Sequence, residues 1–300
     1  MLPFLFAWTL GCAGSPTEAL SWREQWELFV LTEDGSLIEG RVAVGNTGLY
    51  RGQGHFRANR WMDGTTPIQF SMDGGPADVD VGDDHASVRV GSALLGQYEA
   101  GPHWTLRLAH EEANAIIHVD PGGPAVPMVT EINAWGQWTA AAPIAHGSAH
   151  GWFTAGRRGG KFEGRAIALH RGGDGVIGQT RTAIAVVAEG VSIGLDAQGE
   201  SQLAWARIGD REAALSSLAL TAGPGRSQVL DFRPDSDLVV TVEPTAVGGE
   251  SNGYETLFGW ERAAALASGL IANRSVHRAR ATVAFEGETF TAAAVVLNVD

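Results

Sequence analysis

From Gln25 onward, apolar and polar residues alternate in short runs broken by Gly-rich turns. A period of two places successive side chains on opposite faces of an extended strand, so the pattern predicts strands rather than helices. Trp26 to Leu31 and Ser36 to Val44 flank Glu33-Asp34-Gly35. An Asp-Gly pair supplies the positive φ angles of a tight turn, and the segment is predicted to be a β-hairpin. The same grammar returns at Arg157 to Lys161, at Asp196 to Gly199 and at Glu286-Gly287-Glu288, with no βαβ alternation between. Two short Ala- and Leu-rich stretches stand apart. Glu261 to Ile271 is expected to be helical, with an acid in its first turn, whereas Arg211 to Leu220 suits either a helix or a strand.

A weak internal repeat divides the chain. Ile38 to Val44 (IEGRVAV) matches Phe162 to Ala168 (FEGRAIA), and each follows a Gly-containing turn and a strand with an aromatic pair, Trp26/Phe29 and Trp152/Phe153. Two copies of one β-domain are expected, at 22–124 and 125–300, joined at Asp120-Pro121-Gly122-Gly123-Pro124, where Pro and Gly stop a strand. Residues 1–21 are expected to be a targeting segment. Leu2 to Leu10 is apolar but too short to span a bilayer, and Leu10-Gly11-Cys12 resembles a bacterial lipobox, which implies lipidation of Cys12 and an exported, lipid-anchored protein of the periplasm or outer membrane.

Composition narrows the function. The formal charge is −13, and no run collects Lys or Arg, so nucleic acid and anionic headgroups are discounted as partners. Cys12 is the single cysteine, which excludes intramolecular disulfides and Cys-based metal sites. No cofactor is called for. His146 and His150, four apart, and His170 are metal-like in composition, but the Gly between the first two denies them a shared helical face, and they are read as solvated or core histidines. No Gly-x-Ser-x-Gly elbow exists, and the adjacent acids Asp83-Asp84 and Glu111-Glu112 are read as turn or rim residues.

The ten tryptophans are the more informative set, since large rings line apolar cavities as well as fill cores. Trp26, Trp135, Trp138 and Trp152 are the expected lining. Isolated charges within strands add Glu39, Arg41, Glu163, Arg165 and Arg181. Glu39 shares a face with Arg41, and Glu163 with Arg165, either inward at a cavity or outward in solvent. Arg165 and Arg181 are expected ligand contacts; Glu163 and Glu39 are the expected acids of any catalysis.

Gln25 to Gly35, an aromatic strand ending in an Asp-Gly turn, together with Gly151-Trp152-Phe153 through Glu163-Gly164-Arg165, resembles the opening hairpins of the tandem lipocalin-like (calycin) proteins. These include the survival-factor-like proteins, the AttH-like proteins and the carotenoid hydratases related to hydroxyneurosporene synthase. The resemblance implies an all-β fold of two consecutive antiparallel lipocalin-like barrels or barrel-like domains with one or two short helices. It also implies a hydrophobic ligand or lipid held in a barrel cavity. A hydratase, cyclase or isomerase of a polyene, isoprenoid or polyketide substrate is the alternative, and a carbohydrate-binding or adhesive β-sandwich the second.

Overall fold

The computed structural model describes residues 22–299 except 48–49, 83–85, 98–102, 134–135, 175–179, 213–217, 234–235 and 253–272. Residues 1–21 with Cys12, Trp135, Asp83-Asp84 and the stretch from Glu261 to Ile271 lie outside the described residues. Among those described, every regular element is a strand. Arg211-Glu212 and Ala219–Ala222, at the two ends of the ambiguous segment, are both extended.

The first twelve strands are β1 (Trp22–Thr32), β2 (Leu37–Thr47), β3 (Tyr50–Trp61), β4 (Ile68–Gly74), β5 (Val79–Val81), β6 (Ser87–Val90), β7 (Ala93–Gln97), β8 (Trp104–Ala109), β9 (Ala113–Pro121), β10 (Val126–Asn133), β11 (Gly136–Ala155) and β12 (Arg158–Asp174). They form one antiparallel sheet in the order β4-β3-β2-β1-β12-β11-β9-β8-β7-β6-β5, with β10 paired to β11. Nine more strands follow: β13 (Arg181–Ala188), β14 (Val191–Gln198), β15 (Ser201–Ile208), β16 (Arg211–Glu212), β17 (Ala219–Ala222), β18 (Gln228–Asp231), β19 (Val239–Asn252), β20 (Asn273–Phe285) and β21 (Glu288–Val299). Their order is β16-β15-β14-β13-β21-β20-β19-β18-β17. The first sheet curls into a nearly closed barrel. Gly54 on β3 sits directly against Val79 and Val90 of β5 and β6, where a methyl group would not fit, so the two sheet margins meet there. The second sheet is a half-barrel.

The fold is therefore all-β and two-part, but the Pro-Gly segment at 120–124 does not end the first sheet. β11 pairs back onto β9, and β12 pairs with β1, Trp26 standing opposite His170. The sheets change over between Asp174 and Arg181. The repeated strands β2 and β12 are the two neighbours of β1 within one sheet.

That placement explains why β1 is buried along nearly its whole length. Trp26, Leu28 and Val30 pack inside the first barrel, while Phe29 and Leu31 point the other way, onto Trp205, Val276 and Leu297 of the second sheet. A strand covered on both faces loses the alternation of a half-exposed one. β9 keeps it: Ala113, Ala115, Ile117 and Val119 are buried between exposed Asn114 and His118. Ile184, Val186, Ile193 and Phe232 form a third core inside the half-barrel. Each fully buried side chain of this size contributes roughly 1.5–3 kcal/mol.

The first hairpin turn is held by more than Gly35, whose φ is 85°. The Asp34 carboxylate accepts from the Ser36 backbone N–H at 3.0 Å, from the Ser36 hydroxyl at 2.7 Å and from Arg60 at 2.7 Å. Partial burial opposes ionisation of Asp34, but hydrogen bonds from Ser36 and Thr32 and the charge of Arg60 outweigh it and hold the acid well below its ordinary range.

Candidate functional site

The joint between the sheets carries a sealed network of charge. Arg181 on β13 donates two hydrogen bonds to Asp196 on β14, at 2.8 and 2.7 Å, and pairs with Glu27 on β1 at 2.7 Å. Arg274 on β20 reaches Glu27 at 3.1 Å and also pairs with Glu39 on β2, whose other oxygen accepts from Asn59 at 2.8 Å. Gln25 donates to Glu27 at 2.7 Å, and Arg171 links Gln25 to Gln198. The side chains of these ion pairs are at most 3% exposed. Burial alone would raise the Glu27 pKa; the guanidiniums of Arg181, Arg274, Arg171 and Arg41 overcome it and bring it to about 2. Glu27 is thus a fixed anion with no proton to give at neutral pH.

Inside the first barrel, Glu24 and His170 form a second buried pair, Oε1 to Nε2 at 2.5 Å, and the Trp26 ring stacks on the imidazole with centroids 4.8 Å apart. The strands β1 and β12 bring these residues together across the register Trp26 to His170. The pair belongs to the packed barrel interior with Trp22 and Trp104.

A third polar group opens onto space. Between the β10–β11 hairpin and β14–β15 lies a cavity of ≈ 310 Å³ with walls of Val126, Pro127, Ala145 and Trp205. His146 and Arg207 project into it, and none of its lining side chains is acidic. His146 sits in a stretch where the β11–β12 register shifts, between Ile144 and Gly147. Desolvation, then the nearby charges of Arg165 and Arg207, lower its pKa from 6.5, so the imidazole is neutral at pH 7. The floor is rigid. The Trp205 ring lies flat over Gly194, where no Cβ would fit, and its Nε1–H donates to the Ser192 hydroxyl at 3.0 Å, which in turn donates to the Ala145 carbonyl at 2.9 Å. A neutral base beside a cation on an apolar wall can move a proton while stabilising a developing oxyanion.

The residues singled out in the sequence scatter over these places. Trp26 is in the barrel core and Trp138 in the joint, both buried. Glu39, Arg41 and Arg181 lie in the joint, facing neither a cavity nor water but the other sheet. Arg165 is exposed, and its charge acts on His146. Trp152, 38% exposed, and Glu163 share an outer groove of ≈ 540 Å³ with His118, His150 and Lys161. His146, His150 and His170 go to three separate places: joint cavity, outer surface and barrel interior. Among the described residues, no group of three His, Cys, Asp or Glu side chains could hold a metal ion. Neither the role of His146 as a base nor the presence of Arg207 beside it is marked in the sequence; the one signal is a His followed by Gly, near a Pro-rich hairpin.

Comparison with solved structures gives the same architecture. Kievitone hydratase from Nectria haematococca superposes with a TM-score of 0.60 at 10% identity, over 93% of this chain and 89% of that one. CghA bound to Sch210972 gives 0.64 at 11% identity, over 93% and 88%. An AttH protein from Nitrosomonas europaea gives 0.56 at 10% identity, over 91% of both chains. The tandem lipocalin-like fold that the opening strands resemble is thereby shown, and at such identities the likeness speaks for fold alone. No family model and no curated sequence matches the chain.

Proposed function

We propose that this protein is a hydratase-, cyclase- or isomerase-type enzyme acting on an apolar small molecule in the cavity between the β10–β11 hairpin and β14–β15. The observation that carries the proposal is His146: a desolvated, neutral imidazole beside the Arg207 guanidinium on a wall of Val126, Pro127 and Trp205. For hydration of a double bond conjugated to a carbonyl, His146 takes a proton from water as its oxygen bonds to the β-carbon. Arg207 stabilises the enolate oxygen, and the imidazolium then returns the proton to the α-carbon. If His146 instead takes a proton from the substrate's γ-carbon, forming a dienolate held by Arg207, and returns it to the α-carbon, the same groups shift the double bond and perform an isomerisation. The fold neighbours support the class, since one of them is a hydratase and another holds a bound small molecule. Export with a lipid on Cys12 belongs to the proposal on the strength of the leader sequence.

The test is incorporation of ¹⁸O from labelled water into a panel of ring-bearing apolar enones, read by mass spectrometry. His146→Gln is expected to lower the rate by about 10²–10⁴-fold with an unchanged unfolding midpoint. Activity should persist below pH 6.5, because the folded pKa of the base lies lower than that of a free imidazole. Equal rates in wild type and His146→Gln would reject the base. Co-purification of an apolar ligand with no isotope incorporation would favour a second reading, a binding protein for hydrophobic molecules.

A further inference from the structure

The outer wall of the first barrel carries a pair of histidines that the proposed reaction does not use. His118 on β9 and His150 on β11 stand directly opposite each other in the antiparallel register, on the face turned away from the barrel core. Both are exposed, and their ring centroids are 5.4 Å apart with the planes tilted by 31°. Glu163 on β12 is the residue opposite His150 on its other side, so the three occupy one cross-strand row. Three other histidines are each bonded to a carboxylate: His55 to Asp73, His103 to Asp120, and His170 to Glu24. Among the described residues, the ring partner of His118 is His150 and no carboxylate is bonded to either.

We propose that His118 and His150 chelate one divalent transition-metal ion of the borderline class, such as Cu²⁺ or Zn²⁺, at the edge of the groove lined by Trp152 and Glu163. Two imidazoles bound to a common ion through bonds of about 2.0–2.1 Å have ring centroids about 5 Å apart, within reach of the separation found here by small rotations of exposed side chains. Directly opposed strand positions hold the rings at that spacing without help from a helix. The arrangement supplies two protein ligands and leaves the remaining positions to water or to a ligand in the groove, which is why it does not amount to a three-residue site. The acids Glu33, Asp34 and Glu163 border the same groove and outnumber its one ammonium group, Lys161.

Calorimetric titration of the tag-free mature protein with CuCl₂ and, separately, ZnCl₂ tests the proposal. One equivalent is expected, with Cu²⁺ held more tightly than Zn²⁺, as imidazole sites rank these ions. His118→Asn and His150→Asn should each weaken Cu²⁺ by at least about tenfold, since a lone imidazole loses the chelate. Circular dichroism should be unchanged, because both side chains are exposed. Paramagnetic broadening by Cu²⁺ of the imidazole proton signals of these two residues, and not of His146, would place the ion. Absence of binding, or isotherms that survive both substitutions, would overturn the assignment.

Discussion

The joint between the two sheets holds charge in two settings that differ in outcome. At one end, Glu27, Glu39 and Asp196 meet Arg181 and Arg274 in ion pairs buried between the sheets. At the other, His146 and Arg207 face a cavity whose lining has no acid. Both have been taken out of water, which costs free energy in each case. In the network the cost is offset by opposite charges in contact, which also hold Glu27 as an anion. In the cavity it is offset by leaving the imidazole neutral. Burial of charge is common to a clamp and to a reactive site; what separates them is whether the group can still change its protonation state and touch something from outside.

Breaking the clamp should have the largest effect. Arg274→Met leaves Glu39 and Glu27 buried with fewer counter-charges, and a loss of about 3–5 kcal/mol in urea unfolding is expected. Combining it with Glu39→Gln should restore part of that loss, because the second change removes the stranded anion; a double variant as unstable as the sum of the singles would mean that the pair does not interact. The network also sets the acid limit of the fold. Glu27 titrates near 2 when folded and 4.5 when not, so its contribution is whole above pH 4.5 and fades as pH falls toward 2. A smaller effect is expected at the cavity floor. Gly194→Ala must push the Trp205 ring off its seat, costing about 1–3 kcal/mol and shrinking the cavity, so that enone turnover falls while the acid limit stays in place. The smallest belongs to a pair of similar geometry in water: Arg89 and Asp80 are 2.6 Å apart but more than half exposed, and Arg89→Ala should change stability by less than about 0.5 kcal/mol.

Local rules recovered what local forces decide. The Glu33-Asp34-Gly35 turn and the strands it joins were legible because a positive φ and a period of two leave marks within a few residues. The same period correctly put Glu39 and Arg41 on one face. It could not say what lay against that face, and the two options considered, cavity or solvent, missed the third, another sheet. Arg274 is more than two hundred positions away in sequence from Glu27 and Glu39, and Glu24 meets His170 only because β12 returns to β1. Pairings of that span depend on topology, which a single strand does not encode. From the sequence, His146 and His150 read as solvated or core histidines without a shared face, and the register shift between Ile144 and Gly147 sends the two rings to different surfaces.

The return of β12 to the flank of β1 has a bearing on how the molecule is made. β1 can pair with β2 as soon as the first hairpin emerges, yet its other edge stays open until Arg158 to Asp174 has been synthesised. Strand pairing over such distances is slow, and an open edge is a template for wrong partners. Truncation before residue 174 should therefore leave an aggregate rather than a free-standing first barrel.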